Sequence, residues 1–323
     1  MRVTATDARF RHEAMLYAGP EQFVERTGAF VRDALAADEP IMVAVAEPRA
    51  SMLRGVLGRD ARRVDFIDME QVGRNPARVI PVWADWVGRH AASGRRFRGV
   101  GEPVWPGRAA SEIVECRQHE QLLNVAFDGG PGWWLVCPYD VGALPFDAII
   151  GAYNTHPGLT DVSGRSRLGS YPHPAMTREA MFSAPLPEPK APAPYRAGFD
   201  RDSLHVLRKE VTAYAAAEGL DRQRVTDLAF AAHELACNSV MHGGGAGTLR
   251  LWREGGRLVC EVRDKGVIED CLVGCRHPGG AVGGAGLWLV NQLADLVQIR
   301  SAPDFGTVVR IQMALGSAQE LAA

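Results

Sequence analysis

Glu234 and Asn238 stand four residues apart in the stretch Phe230 to Gly244, FAAHELACNSVMHGG, whose other residues are mostly apolar or small. Residues at i and i+4 share one helical face, so the carboxylate and the carboxamide point the same way. An apolar helix has little reason to carry two hydrogen-bonding side chains on one face unless something polar lies opposite. A single amide oxygen is an adequate protein ligand for magnesium, which takes oxygen ligands and leaves several positions to water or phosphate. The carboxylate one turn earlier can take a proton from an attacking hydroxyl. Further on, Asp264 and Gly266 stand at a predicted strand end. Gly283, Gly284 and Gly286 put bare amides at the start of the predicted helix Leu287–Leu293, where the helix dipole favours phosphate.

Periodicity supplies the elements that position these residues. In DRDSLHVLRKEVTAYAAAEGL, Leu204, Leu207, Val211 and Tyr214 recur at helical spacing, with Asp202 or Ser203 to cap the start and Gly219 to end it. The helix of Glu234 spans Arg222–Met241 and stops at Gly243, Gly244 and Gly245. Strands Gly247–Arg253 and Arg257–Arg263 flank Glu254-Gly255-Gly256 as a hairpin. The stretch Val267 to Val282 then has the length of a lid or binding loop. Leu296–Ser301 and Thr307–Met313 close the segment as a last pair of strands. This order predicts an α+β sandwich with helices on one face of a mixed sheet.

The first half alternates differently. Strands are predicted at Ile41–Ala46, Arg63–Asp68, Arg98–Pro103 and Trp133–Pro138, separated by helices at Pro20–Ala37, Pro48–Leu57, Pro76–His90 and Ser111–Phe127. Such alternation predicts an α/β domain with a mostly parallel sheet covered on both faces. Glu47, Asp68, Glu102, Tyr139 and Asp140 follow strand ends and would share the carboxyl rim, where open α/β sheets bind ligands. The same residues could equally serve as helix caps and loop residues. No G-x-x-x-x-G-K-[ST] loop is present, so nucleotide hydrolysis is not expected here. His12 and Tyr17 in RHEAMLYAG, the charged run SEIVECRQHE, and His156 in NTHPGL also stand out. Between Leu168 and Phe199, seven prolines from Pro172 to Pro194 preclude a continuous helix and predict a linker.

Composition sets the outer limits. A chain of 323 residues can bury two cores. With 46% hydrophobic and 23% charged residues it has ordinary globular composition. A net charge of -2 gives no reason to expect a nucleic-acid partner. MRVTATDARFRHEAM lacks a secretory apolar core, and no apolar run is long enough for a bilayer. Six scattered cysteines do not make a disulfide framework, so a reducing cytoplasm is the expected location.

Glu234 with Asn238, Asp264 with Gly266, the run Gly284-Ala285-Gly286-Leu287, and Thr307 in FGTVV follow, in order and spacing, the nucleotide motifs of the GHKL (histidine-kinase-like) ATPase superfamily. Because no acceptor-histidine hairpin precedes this domain, it resembles the anti-sigma-factor serine/threonine kinases within that superfamily. The first-half motifs resemble the sensory domain of methanogens and methylotrophs (MEDS), a RecA-like fold without its nucleotide loop. Together the resemblances imply a MEDS-like domain over residues 1–165, a Pro-rich linker over 166–198 and a GHKL ATPase domain over 199–323. They imply ATP and Mg2+ as cofactors, with Glu234 as catalytic base and Asn238 on the metal. Asp264, Gly266, Gly284, Gly286, Leu287 and Thr307 would complete the nucleotide site, Asp264 accepting from the adenine amino group and Thr307 supporting it. The implied partners are a sigma factor, an anti-anti-sigma protein of STAS type, and a small-molecule signal at His12, Tyr17 and Glu102. A homodimer is expected from the family alone.

Other outcomes stay open. One is a nucleotide-dependent anti-sigma module with little kinase activity; another is a sensor histidine kinase-like protein, for which His205 is the candidate acceptor. Many relatives carry a glycine where this chain has Ile268, which bears on the lid hinge and turnover. Cys271, Cys275 and His277 form C-x3-C-x-H, which could be a fragment of a zinc or redox site but has no evident fourth ligand, or two small semi-apolar residues that hold the lid down. His233 is turned away from Glu234 around the helix, and His242 is placed to meet the helix's last carbonyls.

Overall fold

The strand IMVAV, β2 (Ile41–Val45), is buried at every residue, as expected for the interior of a parallel sheet covered from both sides. The computed structural model describes residues 9–92, 94–171, 182–277 and 285–315, and the chain divides into two units between residues 177 and 178.

In the first unit β2 is one of seven strands in the order β3-β2-β4-β5-β1-β6-β7. The others are β1 (Arg11–Tyr17), β3 (Asp65–Asp68), β4 (Arg98–Gly101), β5 (Trp134–Asp140), β6 (Gly158–Thr160) and β7 (Ser166–Leu168). Every neighbouring pair is parallel except β6 with β7. The connecting helices are α1 (Gly19–Ala36), α2 (Glu47–Leu57), the single turn α3 (Met69–Val72), α4 (Val79–Ala91), α5 (Ala110–Ala126) and α6 (Phe146–Thr155). β1 is absent from the sequence expectation, because Arg11-His12-Glu13 hides the apolar half of the strand. It nevertheless lies between β5 and β6, with Ala14 opposite Cys137 and Tyr17 opposite Asp140. Strand alternation therefore puts Tyr17 and Asp140 on one face of the sheet, and His12, Cys137 and Tyr139 on the other.

The second unit holds a five-stranded sheet in the order β11-β12-β10-β9-β8. These strands are β8 (Tyr195–Asp200), β9 (Ala246–Glu254), β10 (Arg257–Asp264), β11 (Leu296–Ala302) and β12 (Gly306–Ala314). The expected mixed sheet is corrected: every adjacent pair is antiparallel. The crossover from β10 to β11 does leave those two strands running the same way, but β12 sits between them. α7 (Leu204–Ala217), α8 (Arg222–His242) and α9 (Ala285–Leu293) supply the helices. Leu207, Leu228, Leu235 and Val290 from them share one core with Leu258, Cys260 and Val262 of β10. Asp221 caps α8, accepting from the Arg224 amide at 3.0 Å. At α7 Ser203 takes the N-cap position, as expected, but makes no side-chain capping hydrogen bond; Asp200 orders the turn before it by accepting the amides of Asp202 and Ser203, both at 3.1 Å.

The stretch expected as linker contributes structure to this sheet. β8 is its edge strand, paired with β9 from Tyr195 opposite Leu251 to Asp200 opposite Ala246. The residues before it carry their polar groups onto the sheet as well. Arg310 Nη2 donates to the Pro187 carbonyl at 2.9 Å, the Ser301 amide donates to Phe182 O at 2.9 Å, and Glu188 pairs with Arg250 and Arg263. Proline suits such a crossing, since it lacks an amide to satisfy yet keeps its carbonyl as an acceptor.

Glu261 on β10 points away from the helices and is fully buried. Its Oε1 accepts from Arg250 and Arg263, and its Oε2 from Arg310 at 2.7 Å. Burial pushes this carboxyl up, but the three guanidinium groups outweigh it and hold it below its ordinary range. Removing one member of a buried ion network leaves its partners' charge uncompensated. Glu261→Gln is therefore expected to lower the unfolding free energy of the chain by about 3–5 kcal/mol in a urea titration. Glu188→Gln, at an exposed position, should cost about 1 kcal/mol or less.

Candidate functional site

α8 delivers Glu234 and Asn238 from adjacent turns, and Ser239, the residue after Asn238, faces the end of β10. The Ser239 hydroxyl donates to Asp264 Oδ2 at 2.6 Å, and the Gly266 amide donates to Oδ1 at 2.8 Å. Both contacts fix the carboxylate where the strand ends. Gly243 makes the approach possible: a Cβ there would lie 2.3 Å from the Asp264 carboxyl carbon. Across the sheet, Thr307 stands opposite Asp264 in β12 and donates to the Gly266 carbonyl at 2.8 Å. Thr307 also shares a 2.8 Å hydrogen bond with Ser301, whose hydroxyl accepts the Ile268 amide at 2.8 Å.

These groups border a cavity of about 300 Å³ whose lining includes Asn238, Asp264, Gly266, Leu287 and Thr307. Leu235, Val262 and Val309 give it apolar walls, with Asp264 among its polar groups. A concave, mostly apolar site with a few placed polar groups is what a planar heterocycle requires. The first turn of α9 meets α8 beside this cavity. A Cβ on Gly286 would lie 2.8 Å from Glu234 Oε2 and 3.6 Å from Asn238 Nδ2, so the start of that helix lies beside both side chains. The structure thus brings together Glu234, Asn238, Asp264, Gly266, Gly286, Leu287 and Thr307; Gly284 lies outside the described residues.

Ser239, with no part in the sequence expectation, positions Asp264; the only trace of it in the sequence is a small hydroxyl next to Asn238. Asn291 reaches from α9 to donate to the Gly274 carbonyl at 3.0 Å and so ties down the loop after β10. Cys271 and Cys275 are buried, while His277 packs its ring against Trp288 at 4.9 Å. Among the described residues these three do not gather into a metal-ligand cluster. His242 ends α8 and lines the cavity. His233 lies within 3.6 Å of the Cys237 sulfur, and His205 is exposed on α7.

In the first unit the expected sensory residues fall on two sides of the sheet. Tyr17 and Glu102 meet at the carboxyl rim, joined by Arg49 from α2 and Asp140 from β5. Arg49 contacts Glu102, lies 3.6 Å from Asp140 and places its guanidinium 5.6 Å from the Tyr17 ring centre. The Asp140 carboxylate also accepts the Gly19 and Gly142 amides at 3.3 and 3.0 Å. Burial raises the Tyr17 hydroxyl pKa, and the Glu102 charge adds to it. Burial likewise pushes Glu102 up to about 7, against the pull of Arg49 and the Ala46 amide. His12 lies on the opposite face, buried against Glu120, Asn124, Cys137 and His156. Sequence reading named Glu120 only within a charged run and gave Arg49 no part, because their partners lie in other elements.

Comparison with known families agrees with this division. Residues 11–157 match the MEDS family model, described as the methanogen/methylotroph, DcmR sensory domain. Residues 199–313 match the model of the histidine kinase-like ATPase domain. The chain therefore carries a MEDS domain followed by a histidine-kinase-like ATPase domain. No curated protein matches the chain. Among the described residues, no helix is long and apolar enough to cross a membrane.

The rim carboxyl makes stability depend on pH. Between its ordinary value of 4.5 and about 7, Glu102 holds a proton in the folded chain that the unfolded chain has released. Folding stability therefore falls as pH rises through that window, by about 3 kcal/mol in all. Urea titrations across the window should show this fall in the parent chain and a flatter profile in Glu102→Gln.

Proposed function

We propose that the second unit binds Mg-ATP and phosphorylates a serine or threonine of a STAS-type anti-anti-sigma protein, while the same unit sequesters a sigma factor in the cytoplasm. The observation that carries this reading is the seat of Glu234: its carboxylate abuts the first turn of α9, and Asn238, one turn on, lines the adjoining cavity. A base, a neutral oxygen ligand and a helix start at one point suit phosphoryl transfer.

The residues fit the cofactor. Asp264 lines the cavity and retains acceptor capacity after accepting from Ser239 and Gly266, so it can hold an adenine amino group. Thr307 steadies the Gly266 carbonyl below it. Asn238 would offer its amide oxygen to magnesium, and the α9 amides at Gly286 would hold phosphate oxygens. Mg-ATP supplies the phosphoryl group and the charge neutralisation its transfer needs. Glu234 takes the proton from the partner's hydroxyl, which requires that hydroxyl to enter between α8 and α9. The first unit supplies the signal, with the Tyr17–Arg49–Glu102–Asp140 cluster at the rim where parallel sheets bind small molecules.

A second reading has its own support. Ile268, at the hinge of the loop after β10, donates its amide to Ser301 at 2.8 Å, which restrains the hinge. A restrained lid favours a nucleotide-dependent binding module that turns over slowly.

Labelled ATP and a STAS-type partner separate the two. The kinase reading expects acid-stable label on the partner, with transfer lowered roughly 100- to 10,000-fold in Glu234→Ala and nucleotide affinity retained. Label that is absent with the parent chain, despite ATP binding, favours the module. Acid-labile label on the chain itself would point to a histidine kinase. Asn238→Ala should weaken nucleotide binding in magnesium much more than in its absence, as measured by calorimetry.

A further inference from the structure

On the sheet face opposite the rim cluster, four side chains from four parts of the first unit converge. They are His12 of β1, Glu120 of α5, Cys137 of β5 and His156, the residue that follows α6. None is more than 3% exposed, and their ligand atoms all lie within 4.8 Å of one another. His12 Nε2 is 3.4 Å from Cys137 Sγ and 3.4 Å from Glu120 Oε2, and His156 Nε2 is 2.8 Å from the same oxygen.

The surroundings fix which ring nitrogens carry hydrogen. Asn124 Nδ2 donates to the Glu120 and Thr155 carbonyls at 3.2 and 2.8 Å, so its Oδ1 faces His12 Nδ1 at 3.1 Å. His156 Nδ1 faces the Ala152 carbonyl at 2.9 Å and the Thr155 hydroxyl, which is spent on the Gly151 carbonyl. Both Nδ1 atoms therefore meet acceptors outside the cluster, and Nε2 of each ring is the nitrogen turned toward it. His156 Nε2 makes no hydrogen bond, although the Glu120 oxygen is close. Two ring nitrogens, a carboxylate oxygen and a sulfur, each a metal-ligand atom, thus face one another in a closed interior.

We propose that His12, Glu120, Cys137 and His156 bind one divalent transition-metal ion of the zinc class in tetrahedral geometry. Zinc bonds of these types imply ligand–ligand edges of roughly 3.3–3.8 Å, so small side-chain shifts suffice. Magnesium and calcium prefer all-oxygen sets, whereas two imidazoles and a thiolate select zinc or cobalt. The outer hydrogen bonds to Asn124 and Ala152 are the kind that orient metal-bound histidines. Four protein ligands and no solvent access make it a closed site, which would tie β1, β5, α5 and the end of α6 together.

The test uses the full chain, stripped with a chelator and titrated with zinc and then cobalt. We expect one ion per chain by elemental analysis, and a cobalt form showing the strong absorption of a four-coordinate centre with a thiolate charge-transfer band. Cys137→Ser should lose that band, and Cys116→Ser, a buried cysteine outside the cluster, should keep it. Asn124→Ala should weaken zinc binding roughly 10- to 100-fold while retaining the band. Failure of the parent chain to take up zinc, or a cobalt spectrum without a thiolate band, would overturn the assignment. So would binding unchanged in both Cys137→Ser and His156→Gln, since the ion would then sit elsewhere.

Discussion

Asp264 is the fixed point of the second unit. Its two carboxylate oxygens are claimed by a hydroxyl from α8 and an amide from its own turn, and Gly243 offers no side chain to hold the helix away. The end of β10 and the end of α8 are thereby locked into one arrangement. Asn238 and Glu234 lie one and two turns back along that helix, so their distances from the strand end are set by helical rise. Thr307 continues the constraint into β12 through the Gly266 carbonyl. The cavity is what remains between fixed walls.

The first unit divides its chemistry by strand parity. Tyr17 and His12 are on one strand, five residues apart, and therefore on opposite faces. One face gathers Arg49 with Glu102 and Asp140, a rim cluster in which a cation already offsets carboxylates. The other gathers His12, Glu120, Cys137 and His156, brought together from β1, α5, β5 and the end of α6. The two clusters differ in kind: the rim cluster pairs an arginine with carboxylates at the carboxyl ends of the strands, and the inner cluster joins two imidazoles, a carboxylate and a thiol on the other face.

Local pattern carried much of this information. α8 was legible because a helical apolar period ran up to a glycine triplet with two polar residues on one face, and the β9–β10 hairpin because a turn dipeptide separates two alternating runs. Asp264, Gly266 and Thr307 were legible because their spacing survives along the chain. What the sequence withheld depends on other elements. β1 looked unlike a strand, since its first half is Arg11-His12-Glu13 and the partners that make His12 a core residue lie in α5 and β5. The antiparallel order depends on β12 inserting between β10 and β11, a choice among long-range pairings that no local window contains. Arg49, Glu120 and Ser239 are ordinary residues in their own helices and acquire meaning only from what packs against them. β8 was hidden by prolines that precede it and that cross the sheet instead of leaving it.

That last feature bears on how the protein can be dissected. The ATPase family match begins at residue 199, yet β8 starts at Tyr195 and the Glu188 contacts lie earlier still. A fragment cut at the match would keep the helices and the cavity but bare the flank of β9, a row of amides and carbonyls open to another copy. Self-association of such a truncated piece would be a product of the cut, not a property of the native regulator.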